Sequence, residues 1–153
     1  MYFASVVLLL FVFPVASITV EALWLRGGAD MMFLIGKWFV FWAVGVRLFL
    51  AGVRQVMQPQ FTAESIFDIK DPAAHAIVRE IGFGNLAMGA LGLASLAQTA
   101  WLVPASIVGG LYYGLAGAGH VFRGSKNFNE QTALVTDLLM FAVLGVFAVS
   151  RVW

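Results

Sequence analysis

Arg47, Glu80, Asn85, His120 and Asp137 each fall inside or at the edge of a long apolar run. An ionisable group at the centre of a membrane span costs about 2.5–3.5 kcal/mol on insertion scales, and such groups face partners or cavities. Together these residue types could bind a small solute. Arg47 would supply fixed positive charge through a planar fork of donors. Asn85 and His120 would supply orienting hydrogen bonds. Asp137 would keep the empty site neutral by pairing with Arg47, and would yield to an anion or take up a proton. Each residue also has a plainer reading. Arg47 can be a packing clamp with Asp137 or Glu80, Glu80 beside Arg79 can be a solvated helix end, and Asn85 can be an interhelical hydrogen bond.

Depth along the chain favours a common site. Arg47 lies about two turns before the end of its apolar run, Asn85 about one turn into the next, His120 under one turn from the end of the fourth, and Asp137 between one and two turns into the fifth. Helical spacing adds to this. Arg47, Arg54 and Gln58 recur at intervals of seven and four, which places them on one helix face. Gly82, Asn85, Gly89 and Gly92 form a small-residue stripe with one amide embedded in it. Tyr113, Gly117 and His120 follow on the fourth run, and Glu130 and Asp137 stand seven apart on the fifth. The candidate pocket is therefore Arg47, Arg54, Arg79, Glu80, Asn85, His120 and Asp137.

The elements that must hold these residues are membrane helices. The chain has 153 residues, of which 61% are hydrophobic and only 11% charged, whereas soluble domains carry about 25% charged residues. Mean hydropathy is +0.92. Apolar runs of about 18 residues or more mark bilayer spans, and five are expected: Tyr2–Trp24, Met31–Val53, Ile81–Ala97, Trp101–Phe122 and Thr132–Val152. Barrel strands are excluded because the runs are long and do not alternate. The opening MYFASVVLLLFVFPVASITVEA lacks the basic region of a signal peptide and is read as a span. The fold class is all-α, a single transmembrane helical domain over residues 1–153.

Between the runs, Arg26-Gly27-Gly28-Ala29-Asp30 reads as a turn, and Pro59 should stop the second helix near Gln58. Asp71-Pro72 should cap a helix running unbroken from Pro72 to about Ala97. Gln98 to Pro104 reads as a hairpin, and Asn127-Phe128-Asn129-Glu130 as a capping-box variant. The connection from Gln55 to Asp71, with Phe61, Ile66, Phe67 and Ile69 among acids, reads as a short amphipathic segment on the membrane surface.

Arg54, Lys70, Arg79, Arg123 and Lys126 share one side with the N-terminus, and Arg26, Lys37 and Arg151 share the other. The positive-inside rule then makes the N-terminus cytoplasmic, in a prokaryotic inner or plasma membrane. A net charge of +1 gives no reason to expect a nucleic-acid partner. The absence of cysteine removes disulfides, thiolate catalysis and Cys-ligated metals. A haem or metal held by His75 and His120 would require His75 to fold inward from an interfacial turn, so no cofactor and no metal are expected. No GxSxG, HExxH, CxxC or P-loop motif is present, and the expectation leans away from an enzyme.

Three blocks, QPQFTAESIFDI, HAIVREIGFGNLAMGALGLASL and GLYYGLAGAGHVFRGSKNFNEQTALVTDLL, resemble the hallmark blocks of a small prokaryotic membrane-protein family with no assigned function. The resemblance covers roughly Arg47 to Leu139. More distantly, the RLFLAG…QP helix followed by a Gly-rich helix is similar to DoxX-like four-helix proteins, some of which are membrane subunits of quinone-linked oxidoreductases. The additional first helix departs from that pattern and nothing here marks a quinone site, so the resemblance implies a fold and no mechanism. The sequence thus leads to a five-span bundle with a cytoplasm-facing polar pocket built by spans two to five. It would bind or pass a small polar or anionic solute, as a homo-oligomer in the lipid bilayer. A non-catalytic subunit or assembly factor of a larger membrane complex, or a quinone-linked redox subunit, stands as the alternative.

Overall fold

A computed structural model of the chain describes residues 2–25, 28, 30–122 and 127–153. Arg26, Gly27 and Ala29 of the expected turn, and Arg123 and Lys126 of the charge count, lie outside the described residues. Among the described residues every regular element is helical. In chain order these are α1 (Tyr2–Trp24), α2 (Met31–Met57), the short α3 (Pro59–Ser65), α4 (Ala74–Ala94), α5 (Thr99–Val121) and α6 (Phe128–Val152). All but α3 are long and apolar enough to cross a membrane, as the composition requires of a multi-pass protein.

The helix ends follow local chemistry. Asp30 caps α2, its carboxylate accepting from Phe33 N at 3.1 Å. The hydrogen bond from Arg151, 2.6 Å away near the end of α6, and this backbone bond hold the Asp30 carboxyl below its ordinary range. Gln58, at φ −136° and ψ 61°, ends α2 directly before Pro59. Asp71 Oδ1 accepts from Ala73 N at 2.9 Å, and Ala74 N and His75 N reach back to Asp71 O and Pro72 O. The expected start at Pro72 is therefore a turn of tighter i→i+3 bonds, with α4 proper beginning at Ala74. That helix passes unbroken through Gly82 and Gly84 and ends at Ala94, three residues before the expected Ala97. Pro104 is the third residue of the α-helical part of α5, Leu102–Val121, in the first turn, where a proline costs no α-helical hydrogen bond.

Asn127 Oδ1 accepts from Glu130 N at 2.9 Å, closing the first turn of α6. Its Nδ2 also donates to Ser65 O and Ile66 O at 3.3 and 3.4 Å, which fixes the end of α3 against α6. Replacing Asn127 with Ala is expected to lower stability in detergent by about 1 kcal/mol. Asn127→Asp, which keeps the acceptor but not the donor, should lose less. Chemical denaturation of both variants checks this.

Two antiparallel helix pairs make most of the bundle, α2 with α4 and α5 with α6, and α1 lies along α2. Their contact region is a core of Leu10, Val40, Val44, Leu102, Met140, Leu144 and Phe147, among others. Two helices carry a wide, π-helical stretch. In α1 it covers Leu8–Val12, where Phe13 N donates to Leu8 O just before Pro14, which has no N–H to offer Leu10 O. In α2 it covers Val40–Arg47. Within that second stretch the Tyr113 hydroxyl donates to Ala43 O, drawing a carbonyl into a bond outside the helix. Such widened turns occur often where a side chain is re-aimed for function, and this one ends on Arg47.

Candidate functional site

Arg47 emerges from α2 toward α6, and its two terminal nitrogens both donate to one oxygen of Asp137, Nη1 at 3.2 Å and Nη2 at 3.3 Å. The side chains retain 14% and 8% of their exposure, so the pair is nearly enclosed. Of the two acids weighed for Arg47, Asp137 is the one paired with it, while Glu80 is exposed on α4. The Tyr113 ring lies 5.1 Å from the guanidinium carbon, a spacing for cation–π attraction. Tyr2, at the start of α1, stands against the same guanidinium. Helices α1, α2, α5 and α6 thus all reach this one charge.

Two further polar groups lie beside the pair. His120 Nδ1 is 3.3 Å from Glu130 Oε1, with both side chains buried. The Phe67 ring, just beyond α3, stacks on the imidazole at 6.0 Å with 16° between the planes. Asp68 follows in the left-handed region, φ 55°, a conformation an aspartate tolerates better than most residues. His120 is near enough to act electrostatically on Asp137. Across the bundle, Asn85 Nδ2 donates to Gln55 Oε1 at 2.7 Å between α4 and α2. Asn85 is only 1% exposed, and its Oδ1 is buried without a hydrogen-bond partner. Tyr112 of α5 lies beside the Asn85 side chain and also within electrostatic range of Arg47 and Asp137.

Three of the seven sequence-derived residues are placed differently. Arg54 is exposed, with its guanidinium 3.4 Å from the Phe61 ring centre. It continues the Arg47 stripe, but at its level the stripe faces α3 rather than α6. Arg79 and Glu80 are both exposed. The inward face of α4 is Val78, Gly82, Asn85, Gly89 and Gly92, and positions 79 and 80 lie off it. Arg47, Asn85, His120 and Asp137 remain, all buried or nearly so.

Sequence reading passed over Tyr2, Gln55 and Tyr112. Gln55 carried a signal, since Gly45, Gly52 and Gln55 make a stripe on α2 that mirrors the glycine stripe with Asn85 on α4. Tyr2 carried none, because only the packing of α1 brings it to Arg47. A second charged cluster lies at the opposite end of the bundle, where Glu21 accepts from Lys37 Nζ at 2.7 and 2.9 Å and from Trp38 Nε1 at 2.7 Å. Nearby, Trp42 Nε1 donates to Ser17 at 3.0 Å. Glu21 thereby meets a full set of donors, as a structural ion pair should. Among the described residues no group of three or more His, Cys, Asp and Glu side chains is arranged to hold a metal.

A family model described as "Family of unknown function (DUF6790)" matches residues 2–152. No curated protein and no solved structure matches the chain.

Proposed function

The chain belongs to DUF6790, a family of unknown function, and we propose that it is a multi-pass membrane protein that binds a small anionic solute at Arg47. The observation that carries this reading is the form of the ion pair. Both terminal nitrogens of Arg47 converge on one oxygen of Asp137, whereas a structural arginine–carboxylate clamp is at its strongest as two parallel bonds to two oxygens. The arrangement neutralises the guanidinium through a single carboxylate oxygen, so an incoming carboxylate or similar anion can offer it better geometry. Asp137 then swings away or is protonated, and the buried charge stays balanced. The wide stretch of α2 that ends at Arg47 and the encircling tyrosines support the reading, because they hold the guanidinium in place without contributing a second full charge.

The site lies toward the bundle end that carries Arg54, Lys70, Arg79 and α3. By the positive-inside rule that end is cytoplasmic, and the solute would enter from there. Passage across the bilayer, in place of binding alone, would call for several copies to surround a path. The rival reading is a structural clamp in a subunit of a larger complex.

The test is a melting-temperature panel on detergent-purified protein with acetate, chloride, phosphate and sulfate. A ligand at about 100 times its Kd stabilises by about 2.7 kcal/mol, which is readily seen. We expect at least one anion to raise the melting temperature of the wild type, and Arg47→Met to abolish the rise. A wild type indifferent to every anion supports the clamp.

A further inference from the structure

Away from Arg47, at the opposite end of the bundle, α1 and α2 leave an open groove of about 440 Å³ between them. It is lined by Ala16, Ser17, Val20 and Trp24 of α1 and by Lys37 and Trp38 of α2, with Glu21 beside them. Val20 and Trp24 are 67% and 84% exposed, so the groove faces outward, where a membrane protein meets lipid. Glu21 stands three residues from the end of α1 and Lys37 six after the start of α2, about 5 and 9 Å along the helix axes. With 27 residues, α2 is about 40 Å long against a hydrocarbon core of about 30 Å. The ion pair therefore lies where acyl chains give way to headgroups, and Trp24 and Trp38 are the aromatic residues found at that level.

Two donors in the groove are unused. Lys37 Nζ gives Glu21 two hydrogen bonds, at 2.7 and 2.9 Å, and an ammonium has three hydrogens. Ser17 Oγ accepts from Trp42 Nε1, and its own hydroxyl hydrogen meets no acceptor among the described residues. Ser17 is four residues before Glu21, so this second donor lies one turn, about 6 Å, deeper in the membrane. A glycerophospholipid carries its acceptors in that order, with the phosphate outermost, the ester carbonyls beneath it and the acyl chains below.

We propose that the groove holds one membrane glycerophospholipid, with its phosphate on the third hydrogen of Lys37, a glycerol ester carbonyl on Ser17 and an acyl chain along Val20 and Ala16. Charge then selects the headgroup. Glu21 already neutralises Lys37, so a phosphodiester with no cation of its own would leave the groove with a net negative charge. A phosphoethanolamine headgroup brings its ammonium with it and keeps the groove neutral. The occupant is of the phosphatidylethanolamine kind, not the phosphatidylglycerol kind. Nothing in this depends on whether Arg47 binds an anion.

The full chain, delipidated in detergent, is titrated with phosphatidylethanolamine and phosphatidylglycerol of identical acyl chains, and bound lipid is counted by native mass spectrometry. The wild type should bind its first phosphatidylethanolamine about fivefold more tightly than phosphatidylglycerol, the scale of one partly exposed charge interaction. Glu21→Gln should reverse the preference, because Lys37 is then left cationic. Lys37→Gln should remove it and weaken both lipids. Ser17→Ala keeps the ion pair and should weaken both lipids about threefold to tenfold, the loss of one hydrogen bond; it serves where the charge variants do not fold. Lys70→Gln, exposed at the other end of the bundle, should change nothing, which separates the groove from lipid bound elsewhere on the surface. Equal affinity for the two headgroups in the wild type, or a preference for phosphatidylglycerol, overturns the proposal. So does a preference that survives Lys37→Gln or that Glu21→Gln leaves unreversed, and so does unchanged binding by Ser17→Ala. The bound lipid would then be the ordinary annulus around the bundle.

Discussion

Asp137→Leu on its own should destabilise the detergent-solubilised protein by about 3–5 kcal/mol, the range found when one partner of a buried ion pair is removed. The physical reason is Arg47. An arginine guanidinium stays protonated in proteins, and with Asp137 gone it has Tyr2 and Tyr113 around it but no counter-charge in contact among the described residues. The guanidinium must either remain buried and unpaired or drag its end of α2 toward water. Arg47→Met alone should be less damaging, because a lone Asp137 can take up a proton and become neutral. The double variant, Arg47→Met with Asp137→Leu, should recover stability to within about 1–2 kcal/mol of the wild type, since buried pairs are often replaceable by apolar residues of similar volume. Denaturant melts of the four proteins form a double-mutant cycle. A double variant no more stable than Asp137→Leu would mean that the pair holds the bundle in a way that apolar packing cannot replace.

Gly92→Leu should prevent the bundle from closing, with a loss above about 3 kcal/mol. A Cβ at this position would run into Gly45 N, lie 2.7 Å from Gly45 Cα and stand 2.9 Å from Val44 C. These are backbone atoms of the facing helix, so no rotamer change can make room. Gly89 repeats the situation against Phe49, with its Cα 2.7 Å away, so the α2–α4 seam must separate over more than one turn. The helices would then lose the close approach on which association in lipid depends. Gly84 is the control: nothing lies within 4 Å of a Cβ there. Gly84→Ala should be neutral or stabilise by about 0.5–1 kcal/mol, because it removes the conformational freedom of a mid-helix glycine. Expression yield and monodispersity in detergent check Gly92→Leu, and a melting curve checks Gly84→Ala.

The spans were legible because lipid leaves backbone groups no partner but their own helix, so a long apolar run has one solution. Pro59, Asp71 and Asn127 marked helix ends through side chains that act within a few residues, and the chain obeys them at Gln58, Ala73 and Glu130. Depth left Arg47 with two candidate acids, Asp137 and Glu80, and the packing of α2 against α6 decides for Asp137. Depth misled for Arg79 and Glu80. They share the level of the site, but the glycine stripe of α4 turns them outward, and the spacing to Gly82 already implied it. Tyr2 and the wide stretch of α2 were not legible. The first depends on how α1 docks, and the second on a tertiary bond from Tyr113 to Ala43 O that no local pattern encodes.

Direct binding of radiolabelled acetate to the wild type and to Arg47→Met/Asp137→Leu tests most directly whether the pair is a site or a clamp. The double variant removes both charges and is expected to keep the fold, so binding measured on folded protein reports the site and not a difference in folding. The reading of Arg47 as an anion site predicts saturable binding by the wild type that unlabelled carboxylate displaces and that the folded double variant lacks. Equal binding by the two proteins, or no saturable carboxylate binding by the wild type, would contradict it and leave Arg47 and Asp137 as a structural clamp between α2 and α6.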